Sequence, residues 1–274
     1  MAVAIKPLTA IKPLTEVDVA AVGKRPAVVK SSPLHAGTRT DATDKAINNV
    51  MLLSMPGHEF SLLRPHLQYV HLPQHFLFHE PGEKVELAYF LNSGMTSLVV
   101  QTTTGKSCEV GILGREGMVS ACLALDICEA PYRAIMQLPG DGFRVTASAL
   151  ENVLANCPEL KKELLRYVFL QGFQVAQIAA CNRLHEIEQR LARWLLMCQD
   201  RVDSQVLFLT HEFLAEMLGT GRPSVTLAAG VLQRAGLIQN VRGAVRIMNR
   251  QGLEQAACEC YRVVQDYNCG LGLR

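Results

Sequence analysis

Five arginines, and no Asp, Glu or Lys, occupy the segment from Gly219 to Arg250; they are Arg222, Arg234, Arg242, Arg246 and Arg250. A guanidinium group can form paired hydrogen bonds with a phosphate or with the edge of a guanine base. The net charge of the whole chain is only +2, so this positive charge is concentrated locally. The concentration predicts a polyanionic partner, and duplex DNA is the partner that we expect.

The residues around Arg222 predict two helices that would hold it in place. Thr210 is a suitable N-cap for a short first helix, and Gly219 can end that helix in the left-handed conformation. A second helix begins near Pro223, and its apolar spacing predicts one buried face. The opposite face carries the residues that we expect to contact DNA, which are Gly221, Arg222, Ser224 and Thr226. This pattern is typical of a helix-turn-helix whose second helix enters the major groove.

The residues after the second helix predict a wing. Segments 237–240 and 244–248 have the pattern of two short strands around a turn at Arg242 and Gly243. Arg242 at the tip and Arg246 on the polar face would contact phosphates beside the groove. A purely structural helical hairpin with a solvated basic rim is the alternative, but the agreement of helices, wing and charge favours DNA binding.

Residues 67–146 predict an antiparallel jelly roll, because short apolar alternations are separated by glycine turns. Small barrels of this kind also host metal sites, so a cupin-like metalloenzyme using His71, His75, His79 and Glu80 is an alternative. Pro73 interrupts that strand, and no later barrel histidine completes a ligand set. We therefore expect no enzyme activity, no catalytic residue, and neither a metal nor a cofactor.

A long helix is predicted from Pro158 to about Asn182. Its apolar stripe has coiled-coil-like spacing and predicts a homodimer seam made of Leu165, Val168, Gly172, Val175 and Ala179. A helix packed only within its own chain is the alternative. Residues 183–185 then form a candidate hinge, and a last helix is expected to bring Leu253, Ala257, Tyr261 and Val264 onto one face against the helix-turn-helix domain.

Together these elements predict an α+β protein with a flexible tail at 1–45, an effector-binding barrel domain at 46–157, a dimerisation helix at 158–182 and a winged helix-turn-helix domain at 183–274. The nine cysteines are odd in number and irregular in spacing, so no zinc or iron–sulfur framework is predicted. We expect mostly buried, reduced thiols, with Cys122 and Cys128 as candidates for redox sensing. The chain start does not resemble a signal peptide, which predicts a cytoplasmic protein without a membrane partner.

Four stretches of the chain resemble the Crp/Fnr family of bacterial transcription regulators across residues 50–248. They are HEPGEKVELAYFLNSG (79–94), EVGILGREGMVSACLAL (109–125), PYRAI (131–135) and LTHEFLAEMLGTGRPSVTLAAGVLQRAGLI (209–238). The resemblance implies a cyclic-nucleotide-binding-like barrel that takes a small effector, a homodimer formed by the long helices, and sequence-specific DNA binding. It also makes RNA polymerase a candidate partner.

The resemblance further implies that Glu116 and Arg133 bind the effector. Arg115 stands where the cyclic-nucleotide binders carry a glycine, and Val175 and Ala176 stand where they carry purine-contacting hydroxyls. These departures predict an unidentified effector other than cyclic AMP. In the second helix, Pro223 and Leu227 replace polar base readers, which is the best support for a second alternative, a small-molecule sensor or adaptor without DNA binding.

Overall fold

The computed structural model describes residues 39–202 and 204–270, and the fold is α+β, as the sequence predicts. The predicted tail at 1–45 falls mostly outside the described residues. Its last part, 39–45, packs on the domain, since the Arg39 guanidinium donates 2.6 Å hydrogen bonds to the carbonyls of Leu52 and Met55. Two helices precede the barrel, α1 (Val50–Ser54) and α2 (Gly57–Leu63). They separate at Met55 because the following Pro56 disfavours a helical conformation there.

Two four-stranded antiparallel sheets form the predicted jelly roll. Their strands are β1 (Gln68–Leu72), β2 (Leu77–His79), β3 (Leu87–Leu91), β4 (Met95–Gln101), β5 (Ser107–Leu113), β6 (Met118–Val119), β7 (Arg133–Leu138) and β8 (Gly140–Thr146). One sheet has the order β1-β8-β3-β6 and the other β2-β7-β4-β5. Only Pro139 separates β7 from β8, because Gly140 already begins β8. A Cβ there would lie 2.2 Å from the Ser93 carbonyl oxygen, so only glycine fits.

Two helices follow the barrel, α3 (Ala147–Leu154) and α4 (Pro158–Leu184). The N-terminus of α4 is capped from α2, since the buried Glu59 carboxylate accepts hydrogen bonds from the amides of Glu159 and Leu160 at 3.0 and 2.8 Å. With 27 residues, α4 is about 40 Å long. Its buried residues are Leu160, Leu164, Tyr167, Leu170, Gln174, Ile178 and Cys181. The first four pack on the barrel and the first helices, whereas Cys181 packs on Cys258 and Cys260.

The C-terminal part is a winged helix-turn-helix with two further helices. Its elements are α5 (Ile187–Val202), β9 (Val206–Leu207), α6 (His211–Met217), α7 (Arg222–Arg234), β10 (Ile238–Val241), β11 (Ala244–Ile247), α8 (Arg250–Ala256) and α9 (Cys260–Gly270). The wing strands β10 and β11 pair with each other, and β9 adds to their sheet. The predicted single last helix is two helices, since the chain is extended at Ala257. As a result α9 also packs on α4, where the rings of Phe173 and Tyr267 stack at 4.2 Å.

The barrel and the helix-turn-helix share one hydrophobic core. Barrel side chains such as Met95 and Ile112 belong to the same buried cluster as Trp194 of α5 and Leu214 of α6. The indole N–H of Trp194 donates a 2.7 Å hydrogen bond to Glu109 of β5. The barrel therefore supports α5 and α6 directly. Among the described residues no helix is long and apolar enough to cross a membrane.

Candidate nucleic-acid interface

The turn between α6 and α7 is set by local sequence. The Thr210 hydroxyl accepts a 3.2 Å hydrogen bond from the amide of Phe213 and caps α6, as predicted. At the other end, Gly219 has a φ of +58°, and the amides of Gly219 and Thr220 bond back to the carbonyls of Glu216 and Ala215. These two bonds form a Schellman motif, which satisfies the last carbonyls of α6 and turns the chain towards α7.

Helix α7 presents Arg222 to solvent from its first turn. The inner face is buried through Val225, Ala228, Ala229 and Leu232, while the Arg222 side chain is 67% exposed. Thr226 is also exposed, and its hydroxyl donates to the carbonyl of Arg222 at 3.0 Å. The nearest acidic partner of Arg222 is Glu212 of α6, at 3.7 Å and itself 75% exposed. Solvent screens this pair strongly, so the guanidinium is available to a phosphate or a base.

The wing stands beside α7 and is joined to it by a residue that the sequence analysis did not select. One ring nitrogen of His211 contacts the Thr226 hydroxyl at 3.1 Å, and the other contacts the side-chain oxygen of Asn240 at 3.3 Å. His211 thereby spaces the wing from α7 across a cleft of about 360 Å³. Its position directly after the helix cap was the only sequence signal for this role.

The predicted phosphate contacts of the wing lie on its outer side. Arg242 and Arg246 are exposed, and Gly243, with a φ of +72°, forms the tight turn between β10 and β11. Arg250 behaves differently, because its guanidinium bonds to Asp200 at 2.6 Å and to Glu254 at 2.9 Å. Of the five arginines in the acid-free segment, this one therefore anchors α8 to α5.

The two residues predicted to bind an effector are each paired within the chain. Glu116 is buried and forms a 2.6 Å ion pair with Arg201 of α5, and it also accepts the amide of Gly114. Arg133 forms two hydrogen bonds, at 2.7 and 2.8 Å, with the carboxylate of Glu80. Beside Glu116, a Cβ on Gly117 would lie 1.9 Å from the Tyr167 ring, and the remaining cavity measures about 10 Å³. The Tyr167 ring thus takes the space next to Glu116.

The barrel histidines do not converge on a metal site among the described residues. His79 is buried with its Nδ1 atom 3.0 Å from the carbonyl oxygen of Tyr132, and Glu80 is occupied by Arg133. His71 and His75 are exposed, and His75 has a φ of +66°. The described residues bring together one potential ligand group of three or more side chains, and it lies outside the barrel, at Cys181, His185, Cys258 and Cys260.

The predicted seam lies on the side of α4 that faces away from the barrel. Leu165 and Val175 are 41% and 37% exposed, Gly172 and Ala179 are exposed, and Val168 is half-buried. Phe169, which the sequence analysis missed, is 64% exposed on the same side. A Cβ on Gly172 would meet nothing within 4 Å. Within one chain this apolar strip is left uncovered.

The C-terminal region of the chain matches a known family of domains. Residues 189–256, from α5 to α8, match the Crp-like helix-turn-helix domain. The global nitrogen regulator of Synechocystis sp. is 26% identical over 188 residues, which are 64% of this chain and 82% of that protein.

Solved structures share the fold over about three quarters of the chain or less, at low sequence identity. A transcriptional regulator of the Crp/Fnr family from Eubacterium rectale superposes with a TM-score of 0.59 at 16% identity, covering 74% of this chain and 94% of that one. The c-di-GMP responsive global regulator CLP of Xanthomonas campestris gives a TM-score of 0.58 at 14% identity, covering 70% and 99%. At these identities the likeness concerns the fold.

Proposed function

We propose that this protein, a DNA-binding transcription regulator of the Crp/Fnr type, binds duplex DNA as a homodimer and reads it with the exposed face of α7. The main support for this proposal is the exposed Arg222 guanidinium in the first turn of α7, a helix whose other face is buried. A recognition helix places base-contacting residues in this first turn. Gly221, Ser224 and Thr226 lie beside Arg222, and Arg242 and Arg246 would hold the flanking phosphates from the wing.

Dimerisation through α4 is supported by the uncovered apolar strip. Leu165, Phe169 and Val175 are too exposed for a helix that packs only in its own chain. Gly172 offers the open space that allows two helix backbones to approach closely. A symmetric pair of α4 helices would bury this strip against its own copy and set two α7 helices for a roughly two-fold DNA site.

The barrel is proposed to sense an effector other than cyclic AMP, with RNA polymerase as a further partner of the DNA-bound dimer. Glu116 and Arg133 are the candidate contacts, but each already has a partner in the chain. An effector that used them would have to replace Arg201 or Glu80, and so would act on the contact between the barrel and α5. It regulates DNA binding only if it prefers one of the two states.

Gel-shift titrations at several salt concentrations test the DNA proposal on a duplex selected from random sequences. Arg222→Ala is expected to weaken specific binding by about 1 to 3 kcal/mol and to relax the preference at one base pair. Arg242→Ala should weaken all duplexes alike and lower the salt slope by about 1. Arg262→Ala, which removes an exposed charge from α9, is the control. Unchanged affinity in both test variants would contradict the interface, and cyclic AMP added to the same titrations should have no effect.

Sedimentation of the Val175→Glu variant tests the dimer. The new carboxylate would be buried and would face its own copy across the seam, so desolvation and repulsion both favour monomers. Asn152→Glu adds the same charge at an exposed position of α3 and should leave the dimer intact. A folded Val175→Glu protein that still sediments as a dimer would place the interface elsewhere.

A further inference from the structure

Four side chains with metal-binding atoms meet where α4 ends. They are Cys181, His185, Cys258 and Cys260, and their ligand atoms all lie within 4.8 Å of one another. Cys181, Cys258 and Cys260 are 0%, 3% and 1% exposed and form a buried cluster of their own. Neither the barrel nor the DNA-facing surface uses these residues. The spacing of the cysteines along the chain did not predict the group, because its two halves are 73 residues apart.

The fold builds this group from two short segments. Cys181 lies in the last turn of α4, and His185 is the extended C-cap residue that follows the helix, with its amide donating to the Cys181 carbonyl at 3.2 Å. Cys258 and Cys260 lie at the break between α8 and α9, where the extended Ala257 redirects the chain. The predicted continuous helix would have separated these two thiols. The observed break instead points both of them at α4.

The distances within the group fit one tetrahedral ion. The sulfurs of Cys181 and Cys258 are 3.5 Å apart, and the Cys260 sulfur is 3.5 Å from Nδ1 of His185. With Zn–S bonds of about 2.3 Å and a Zn–N bond of about 2.0 Å, tetrahedral ligands are separated by roughly 3.8 Å (S to S) and 3.5 Å (S to N). An iron–sulfur cluster would force the thiolates much farther apart, because several atoms stand between them.

The surroundings match those of a metal-bound histidine. Nδ1 of His185 faces the thiols, while Nε2 lies 3.1 Å from the carboxylate of Glu259. An outer carboxylate of this kind holds the imidazole tautomer and ring orientation that a metal requires. Two arginines of α5 add positive charge, since Arg193 acts electrostatically on Cys181 and Arg190 on both Cys181 and Cys258. This charge offsets that of three thiolates around a divalent cation.

We propose that Cys181, His185, Cys258 and Cys260 form a structural Zn²⁺ site. Three thiolates and one imidazole make a closed four-ligand set of the type found in structural zinc sites. The ion would tie the end of α4 to the break between α8 and α9. Because Arg250 and Tyr261 in turn bind Asp200 of α5, the site would brace the joint at residues 183–185 from both sides. This inference is independent of how the protein reads DNA.

Elemental analysis of the full-length protein, purified without chelators, is the direct test. About one zinc per chain is expected in the unchanged protein. Cys181→Ser and Cys258→Ser should each lose most of it, while Cys128→Ser, which removes an exposed thiol outside the group, should keep it. One zinc per chain in the Cys258→Ser variant, or no zinc in the unchanged protein, would overturn the proposal. A disulfide between Cys181 and Cys258 in place of the metal would overturn it as well.

A spectroscopic titration covers the case in which the serine variants fail to fold. Co²⁺ added to metal-free unchanged protein should give the intense visible bands of tetrahedral cobalt and a near-ultraviolet thiolate-to-metal band, saturating at one ion per chain. Zn²⁺ should then displace the cobalt. Glu259→Gln keeps all four ligands but weakens the hold on His185, and we expect its metal affinity to fall by about 10- to 100-fold. Weak octahedral bands, or an unchanged affinity in Glu259→Gln, would contradict the site.

Discussion

Arginine–glutamate ion pairs occur both at the barrel and on the surface of the helix-turn-helix. The two regions differ in how far these pairs are exposed to solvent. The pair between Glu116 and Arg201 has side chains that are only 11% and 6% exposed. The pair between Glu212 and Arg222 is 75% and 67% exposed. A buried pair locks two elements together, because neither charge can return to water without local unfolding. An exposed pair leaves its arginine free to exchange partners, which DNA binding requires.

The largest effect is expected on the free energy of unfolding, when a buried ion pair is broken instead of a more exposed one. Glu116→Gln leaves the Arg201 guanidinium buried without a counter-charge and should cost about 3 to 5 kcal/mol. Glu80→Gln breaks the pair with Arg133, whose side chains are about one third exposed, and should cost less than about 1 kcal/mol. Urea unfolding followed by fluorescence measures both. Equal losses in the two variants would remove the distinction between locked and exposed pairs.

A second buried carboxylate, Glu109, is expected to make the free energy of unfolding depend on pH. Burial raises its pKa from 4.5 to about 7, although Ser97, Trp194, Arg193 and Arg201 all favour the charged form. The folded state therefore holds a proton that the unfolded chain has released. The contribution of Glu109 to stability is therefore greatest below about pH 4.5, falls as the pH rises towards about 7, and is level above that value. The difference between the two pKa values corresponds to about 3 kcal/mol.

Glu109→Gln tests this pH dependence, since glutamine is neutral at every pH and still accepts the indole N–H of Trp194. Between pH 5 and 8 the variant should lose less stability than the unchanged protein, as measured by urea unfolding at each pH. At pH 8 it should be the more stable of the two. Parallel pH profiles for both proteins would show that Glu109 ionises without penalty in the fold.

The smallest effect is expected on the exposed side of the comparison. Glu212→Gln removes the acid that competes with DNA for Arg222, so specific affinity should rise by less than about 1 kcal/mol, or up to about fivefold. Glu151→Gln, at an exposed position of α3, removes the same charge away from the interface and serves as the control. Gel shifts at low salt resolve the difference. An equal gain in both variants would point to net charge alone.

The α6–α7 turn was predictable because its determinants are local. Thr210 and Gly219 act within a few residues of their own positions, as N-cap and left-handed helix end, and both do so in the structure. The alternation of the barrel strands is also a local signal. The last helix was mispredicted because Leu253 and Val264 keep helical spacing across the break at Ala257, so the periodicity does not register it.

The pairing of charges and thiols was decided by the tertiary structure. Apart from the break at Ala257, the sequence alone determined the main helices and strands and which face of α7 is polar, because those depend on backbone preferences and apolar spacing. It could not determine that Glu116 meets Arg201 or that Cys181 meets Cys258, since these partners lie 85 and 77 residues apart. Such contacts depend on how α5 and α9 pack on the barrel and on α4. Packing of that kind is cooperative and leaves no periodic trace in the chain.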